Sequence, residues 1–259
     1  MKPISIRNRI PLSIQPLCAM TLTLAMVLPF CILLFNVGKN GSNNNIVSPL
    51  KLSSKTNNQR KSIHELHLKS LLWGAVGSSL SFFLASFQVH EKSILLPLAP
   101  LSLLASSEPS LIHWFSIVSI WSMWHLLVVD RLQIPYFAII IIYLCYVYMI
   151  ETEVSDTVVS GDGSERISSL TKWDSWDKMI QKLASKVVIP ISVFGMIALH
   201  ILEAIITPPQ TLPDLFPVLW TIGGCISFCF MWIMSLWKLF VIYSASVQMN
   251  ESNVDKKHN

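Results

Sequence analysis

No charged residue stands between Arg9 and Lys39, and comparable uncharged runs recur along the chain. Lys69 to Glu91, Glu108 to Asp130 and Arg131 to Glu151 frame three more. Only 13% of the 259 residues are Asp, Glu, Lys or Arg, about half the density of a water-soluble domain. A helix crosses the hydrocarbon core in roughly 20 apolar residues, which is the length of these runs. The spacing therefore predicts an all-α polytopic membrane protein and excludes a soluble globule, a disordered chain and a disulfide scaffold. A membrane β-barrel is excluded as well, because runs such as Ala138 to Tyr143 lack the apolar/polar alternation of barrel strands.

The predicted spans are 16–37, 70–87, 109–129, 132–150, 186–206 and 216–244, with 93–105 as a seventh candidate that is short for the purpose. The count is thus six or seven within a single transmembrane domain, 1–259. Two connections are long and polar, 38–69 and 151–185. The second contains TKWDSWDKMIQKLASK, in which Trp173, Trp176, Ile180 and Leu183 recur at helical spacing. That pattern predicts an amphipathic helix lying along the membrane surface.

Lys and Arg concentrate in cytosolic loops. With seven spans and a cytosolic C-terminus, they divide fourteen to five in favour of the cytosolic side; with six, the division falls to twelve to seven. Seven spans are favoured, and both polar loops and the 245–259 tail are then cytosolic. The chain ends Lys256-Lys257-His258-Asn259, a dilysine that resembles the retrieval signal of endoplasmic-reticulum membrane proteins. The first apolar run is long for a signal peptide and has no small-residue cleavage site, so it reads as a retained helix. Asn40-Gly-Ser42 and Asn250-Glu-Ser252 are glycosylation sequons; on cytosolic loops both stay bare.

The five cysteines all fall in apolar segments and read as small core residues. His64-Glu65-Leu66-His67 lacks the HExxH spacing of a zinc protease. No metal site, cofactor or nucleic-acid partner is expected. The informative polar residues lie between spans. His90, Glu91 and Lys92 interrupt two apolar runs, and ionisable groups at that depth mark functional or hydrated sites, or else a turn whose charges face headgroups. In the seven-span arrangement they share the non-cytosolic face with the Asp130-Arg131 turn, with His200 and Glu203, and with the 208–214 turn. Acids, cations and histidines on one surface could hold an anionic substrate. The residue types alone do not separate an enzyme from a transporter. A small transporter would carry internal repeats or broken helices with charges at mid-membrane, and no repeat is visible. A non-catalytic membrane subunit is the other reading.

Two strings go further. FQVHEKSILLPLAPLSLL (87–104) and TPPQTLPDLF (207–216) together resemble the endoplasmic-reticulum dolichyl-phosphate-glucose α-1,3-glucosyltransferases that extend the lipid-linked oligosaccharide of N-glycosylation. Phe87-Gln88 and the PPQ-LPDLF turn are closer to the enzyme that adds the first glucose than to the one that adds the second. The resemblance implies a GT-C glycosyltransferase with a lumenal active site, dolichyl-phosphate-glucose as donor and a mannose hydroxyl of the lipid-linked oligosaccharide as acceptor. It implies that His90 and Lys92 contact the donor phosphate and that Glu91 orients them or pairs with Lys92. The family's catalytic acid lies in an N-terminal half without counterpart here. The catalytic base therefore stays unknown, and the chain resembles a C-terminal half whose N-terminal half is missing, a half that pairs with another chain, or an inactive relative.

Overall fold

The computed structural model describes the backbone of residues 14–45, 54–85, 91–157, 172–209 and 211–258, and side chains over 14–40, 64–85, 93–149, 173, 175–209 and 211–248. Among the described residues there are helices and no strands. The order is α1 (Ile14–Asn45), α2 (Ser54–Ala85), a 3₁₀ turn (Glu91–Ile94), α3 (Leu95–Ser102), α4 (Pro109–Ser122), α5 (Trp124–Val129), α6 (Gln133–Thr157), α7 (Lys172–Leu183), a π-helical turn (Ala184–Val188), α8 (Ile189–Ile205) and α9 (Leu215–His258).

The core is a bundle of α1, α2 and α9. Helices in lipid gain no hydrophobic drive from meeting one another, so close backbone approach and hydrogen bonds must hold them. Gly77 supplies the approach: a Cβ there would stand 1.9 Å from Cε1 of Phe30. Ser81 supplies the bond, accepting from Trp232 Nε1 at 2.8 Å while donating to the Gly77 carbonyl at 2.8 Å. Phe30 meets Trp232 edge-on at 5.8 Å, and Phe83 meets Phe228 at 5.2 Å. Positions rising along α2 thus meet positions falling along α9, so the two run antiparallel. Helix α4 packs on the same α9 surface through Phe115 and Trp114. Trp114 Nε1 in turn donates to Ser192 Oγ of α8 at 2.6 Å.

Four stretches are long and apolar enough to cross a membrane by length and composition: Ile14–Asn40, His64–Ala85, Ser175–Ile205 and Leu215–Gln248, with Gln133–Met149 shorter. The protein is a multi-pass membrane protein. The 109–129 run is two helices that meet at Met123. Ser119 and Ser122 bond back to the carbonyls of Phe115 and Ser119, a habit that bends helices. The 93–105 run holds the eight-residue α3, about 12 Å long, and then turns.

A helix stands where the 171–186 string predicts one, as α7. It continues through the π turn into α8. Pro190 accounts for the wide turn, since a proline lacks the N–H for the bond four residues back and crowds that carbonyl. Its inward face is Trp173, Asp177 and Gln181, which reach α9 and α4. Of the apolar positions read at helical spacing, Trp173 meets α9, and Trp176 and Leu183 are exposed. The cysteines differ from expectation: all five are free and exposed. An apolar thiol suits a lipid-facing surface as well as a core.

The bundle has two polar ends. Trp220 and Lys238 lie on one helix, eighteen residues or roughly 27 Å apart, close to the thickness of the hydrocarbon core. Glu108, Asp177 and Lys238 meet at one end, and Asn40 joins Ser246 further along it. Trp124, Tyr136, Glu203 and Trp220 meet at the other.

Candidate functional site

At the Trp220 end two connections come to one surface. Helix α5 stops at the Asp130-Arg131 turn. Arg131 has φ 58°, and Arg131 N and Leu132 N donate back to the carbonyls of Val128 and Leu127. This is a Schellman closure with arginine where glycine is usual. Helix α8 stops at Ile206, which is extended, because Pro208 and Pro209 cannot continue it. Leu212 N then bonds to the Pro209 carbonyl, and Asp214 O accepts from Val218 as α9 begins.

Beneath these turns His200 and Glu203, one helical turn apart on α8, face α5 and α9. Glu203 Oε2 accepts from Trp124 Nε1 at 2.9 Å and from Trp220 Nε1 at 3.1 Å. Both indoles land on one oxygen; among the described residues Oε1 keeps its lone pairs for another donor. His200 Nε2 pairs with the Tyr136 hydroxyl at 3.0 Å, and its ring stands edge-on to Trp124 and Trp220 at 4.7 and 4.6 Å. Trp121 stacks on Trp220 at 4.3 Å. A carboxylate held by two indoles is charge-assisted and stiff, and the surrounding rings are flat and rigid. Such a box can take polar hydroxyls on the carboxylate and apolar faces on the rings.

Two grooves flank this box, each of about 500 Å³. The first runs between α4, α8 and α9, past Trp114, Ser192, Gly195 and Gly223. The second runs between α2, α4–α5 and α9, past Phe83, Leu84, His125, Trp220 and Phe228. Among the described residues, the buried side-chain polar atoms without a partner are Trp121 Nε1 and His125 Nε2. Trp121 lines the first groove and His125 the second.

Of the residues singled out from sequence, His90 lies outside the described residues. Glu91 and Lys92 are described in backbone only, as the start of the 3₁₀ turn. Glu203 and His200 are brought together with the aromatic box; Asp130, Arg131 and Asp214 are exposed around it. No three His, Cys, Asp or Glu side chains among the described residues gather as a metal would need. Sequence reasoning missed Trp121, Trp124, His125, Tyr136 and Trp220. The string WSMWH beside the Asp130-Arg131 turn was the available signal, since buried indole N–H groups seek partners.

Residues 5–235 match the family described as ALG6, ALG8 glycosyltransferase family. Among individual proteins, the chain is 33% identical over 184 residues to a Gallus gallus dolichyl pyrophosphate Man9GlcNAc2 alpha-1,3-glucosyltransferase, covering 69% of this chain and 35% of that protein. It is 30% identical over 181 residues to the Saccharomyces cerevisiae protein of that name, covering 67% and 33%. It is 36% identical over 144 residues to a probable one from Dictyostelium discoideum, covering 56% and 27%. The chain thus spans about a third of the length of the relatives it matches.

Proposed function

The chain belongs to the ALG6, ALG8 glycosyltransferase family, and on that footing we propose that it is the C-terminal, donor-binding portion of an α-1,3-glucosyltransferase of lipid-linked oligosaccharide assembly. The donor is dolichyl-phosphate-glucose, and the acceptor is a mannose hydroxyl of the dolichyl-pyrophosphate oligosaccharide. The observation that carries the reading is the family match over most of the chain, together with relatives named for that glucosyl transfer.

In the reaction the acceptor oxygen bonds to glucose C1 as the C1–O bond to phosphate breaks. The hydroxyl proton passes to a carboxylate base, and the phosphate departs as an anion. That leaving group needs positive charge beside it rather than a general acid. His90 and Lys92 supply it, and Glu91 orients them. The base comes from the N-terminal portion of the enzyme, so this chain alone does not transfer glucose.

The chemistry takes place at the Trp220 end, on the lumenal side of the endoplasmic-reticulum membrane, and the C-terminus is cytosolic. Two features support this arrangement. The Asp130-Arg131 turn, Glu203 and the 207–214 turn share that end. Helix α2 runs toward it, and Glu108, the next acid after the 87–104 string, bonds to Lys238 at the other end. The chain between α2 and α4 therefore traverses most of the bundle, as a seven-crossing topology requires.

The test joins this chain to the N-terminal portion of a relative and measures glucose addition to lipid-linked oligosaccharide in microsomes. Transfer by the joined enzyme is expected, with none by the chain alone. His90→Ala and Lys92→Ala should each lower donor use by one charge-assisted contact, about 1.5–3 kcal/mol. A joined enzyme indifferent to both substitutions would place the chain instead as a non-catalytic membrane subunit.

A further inference from the structure

Glu203 carries more hydrogen-bonding capacity than the fold uses. Its Oε2 accepts from Trp124 Nε1 at 2.9 Å and from Trp220 Nε1 at 3.1 Å, while Oε1 has no partner among the described residues. The buried side-chain polar atoms left without a partner there are Trp121 Nε1 and His125 Nε2. Oε1 belongs to a half-buried residue and is not one of them, so it is open at the surface rather than sealed in the bundle. One helical turn back, His200 bonds Tyr136 through Nε2, and its Nδ1 is likewise unpartnered and unburied among these residues.

Holding two indoles does not by itself require a carboxylate. They ask only for an acceptor, which a neutral amide provides without the cost of taking a charge out of water. A carboxylate serving them alone could also give each indole its own oxygen. Instead both bonds fall on Oε2, and together they fix the direction of the oxygen that is left. The surroundings narrow what that oxygen meets. No three His, Cys, Asp or Glu side chains among the described residues gather there, so it lacks the company a metal ion needs. Trp124 is half-buried, and Phe137, at 5.6 Å from it, is exposed. A fixed acceptor with aromatic carbon nearby suits a molecule with hydroxyls on its edge and C–H groups on its face, which is a sugar ring. We propose that Glu203 is a sugar-binding residue of the enzyme, with Oε1 accepting from a hexose hydroxyl and Trp124 and Trp220 holding the carboxylate in place. The inference rests on the glucosyltransferase reading for the hexose; the pinned carboxylate, its open oxygen and the aromatic surface are independent of it.

Glu203→Gln tests the open oxygen apart from the bound one. Its amide oxygen still takes the indoles, and its NH2 then stands where Oε1 stood, so an acceptor becomes a donor. In the enzyme joined to the N-terminal portion of a relative, Glu203→Gln should raise the KM of the donor or of the acceptor oligosaccharide about ten- to hundredfold, the worth of one hydroxyl bond to a charged acceptor. The substrate whose KM moves is the one that owns the hydroxyl. An analogue of that substrate lacking the single hydroxyl should be used equally by wild type and Glu203→Gln. The thermal midpoint should stay near that of wild type. Should it fall, the deoxy analogues decide, because a damaged site loses every substrate alike, whereas a lost hydroxyl bond vanishes only with its own hydroxyl. Unchanged KM for both substrates, or no deoxy analogue that closes the gap, would overturn the proposal and leave the glucosyltransferase reading standing. If the wild-type joined enzyme transfers no glucose, that reading fails instead, and saturation-transfer NMR on the chain in phospholipid nanodiscs decides the site, with methyl β-glucoside and methyl α-mannoside as probes. A signal from either sugar that Glu203→Gln abolishes keeps the site; equal signals in the two proteins, or none in either, sinks it.

Discussion

Lys238 is 6% exposed at the end of the bundle opposite the aromatic box, and it bonds two carboxylates, Glu108 at 2.6 Å and Asp177 at 2.8 Å. The acids are themselves tied: Gln181 donates to Glu108, and Trp237 donates to Asp177 at 3.1 Å. Consider Lys238→Met, which keeps an unbranched side chain one atom shorter and removes the charge. At those distances, with an effective dielectric constant near 20, each pair attracts by about 6 kcal/mol. Desolvating three ions costs several kcal/mol apiece, so most of the attraction is already offset in the wild type. What the substitution exposes is the uncompensated remainder, two carboxylates left facing each other, for which about 3–5 kcal/mol is the usual loss. Asp177 is 20% exposed and water relieves part of its charge, which favours the lower figure. A loss of about 3 kcal/mol lowers the thermal midpoint of a chain this size by roughly 6–12 °C, measurable by size-exclusion survival after heating in detergent. The companion protein Lys238→Met/Glu108→Gln/Asp177→Asn removes all three charges together and should recover at least half of the loss, because no ion is left unpaired. A single variant that loses under about 1 kcal/mol, or a triple variant no better than the single, would refute the reasoning, since both follow from burial of unpaired charge.

Three further outcomes are expected. Glu203→Leu leaves the Trp124 and Trp220 indole N–H groups without their acceptor, at about 1–3 kcal/mol each, whereas Glu203→Gln keeps an acceptor and costs less; equal thermal midpoints for the two variants would disprove the role of that oxygen. Gly77→Ala drives a methyl into Phe30 and should cost about 1–3 kcal/mol by overpacking. Pairing it with Phe30→Leu should restore the midpoint, and a neutral single variant would show that α1 and α2 are less tightly apposed. Asn40 should carry no glycan, because its side-chain amide donates to Ser246 at 3.1 Å at the Lys238 end; a glycosidase-sensitive shift that Asn40→Gln abolishes would invert the proposed topology.

The uncharged gaps made most of the architecture legible, because bilayer thickness is a hard length constraint that local chemistry cannot override. Helices α1, α2, α8 and α9 overlie four of those gaps, although α1 and α2 also run on through residues 38–45 and 54–69 of the stretch read as a polar loop. What the gaps could not carry was anything set by neighbours. The break at Met123 depends on serines bonding back along their own helix, and a mean hydropathy is blind to that. Helix α7 was legible as a helix from its periodicity, which marked Trp176 and Leu183 as one apolar side. The pattern did not show what the other side meets: Asp177 and Gln181 reach Lys238 and Glu108, since a buried ammonium must be answered by carboxylates wherever they lie in the chain. Lys238 itself entered the sequence reading as one cation among fourteen on the cytosolic side. Its partners stand 130 and 61 residues away, and a charge count assigns a residue to a side of the membrane without naming what it touches. The aromatic box has the same logic. Glu203 was visible as an acid near a turn, but its character comes from two indoles on α5 and α9, so its chemistry could be read only once three helices were brought to one end.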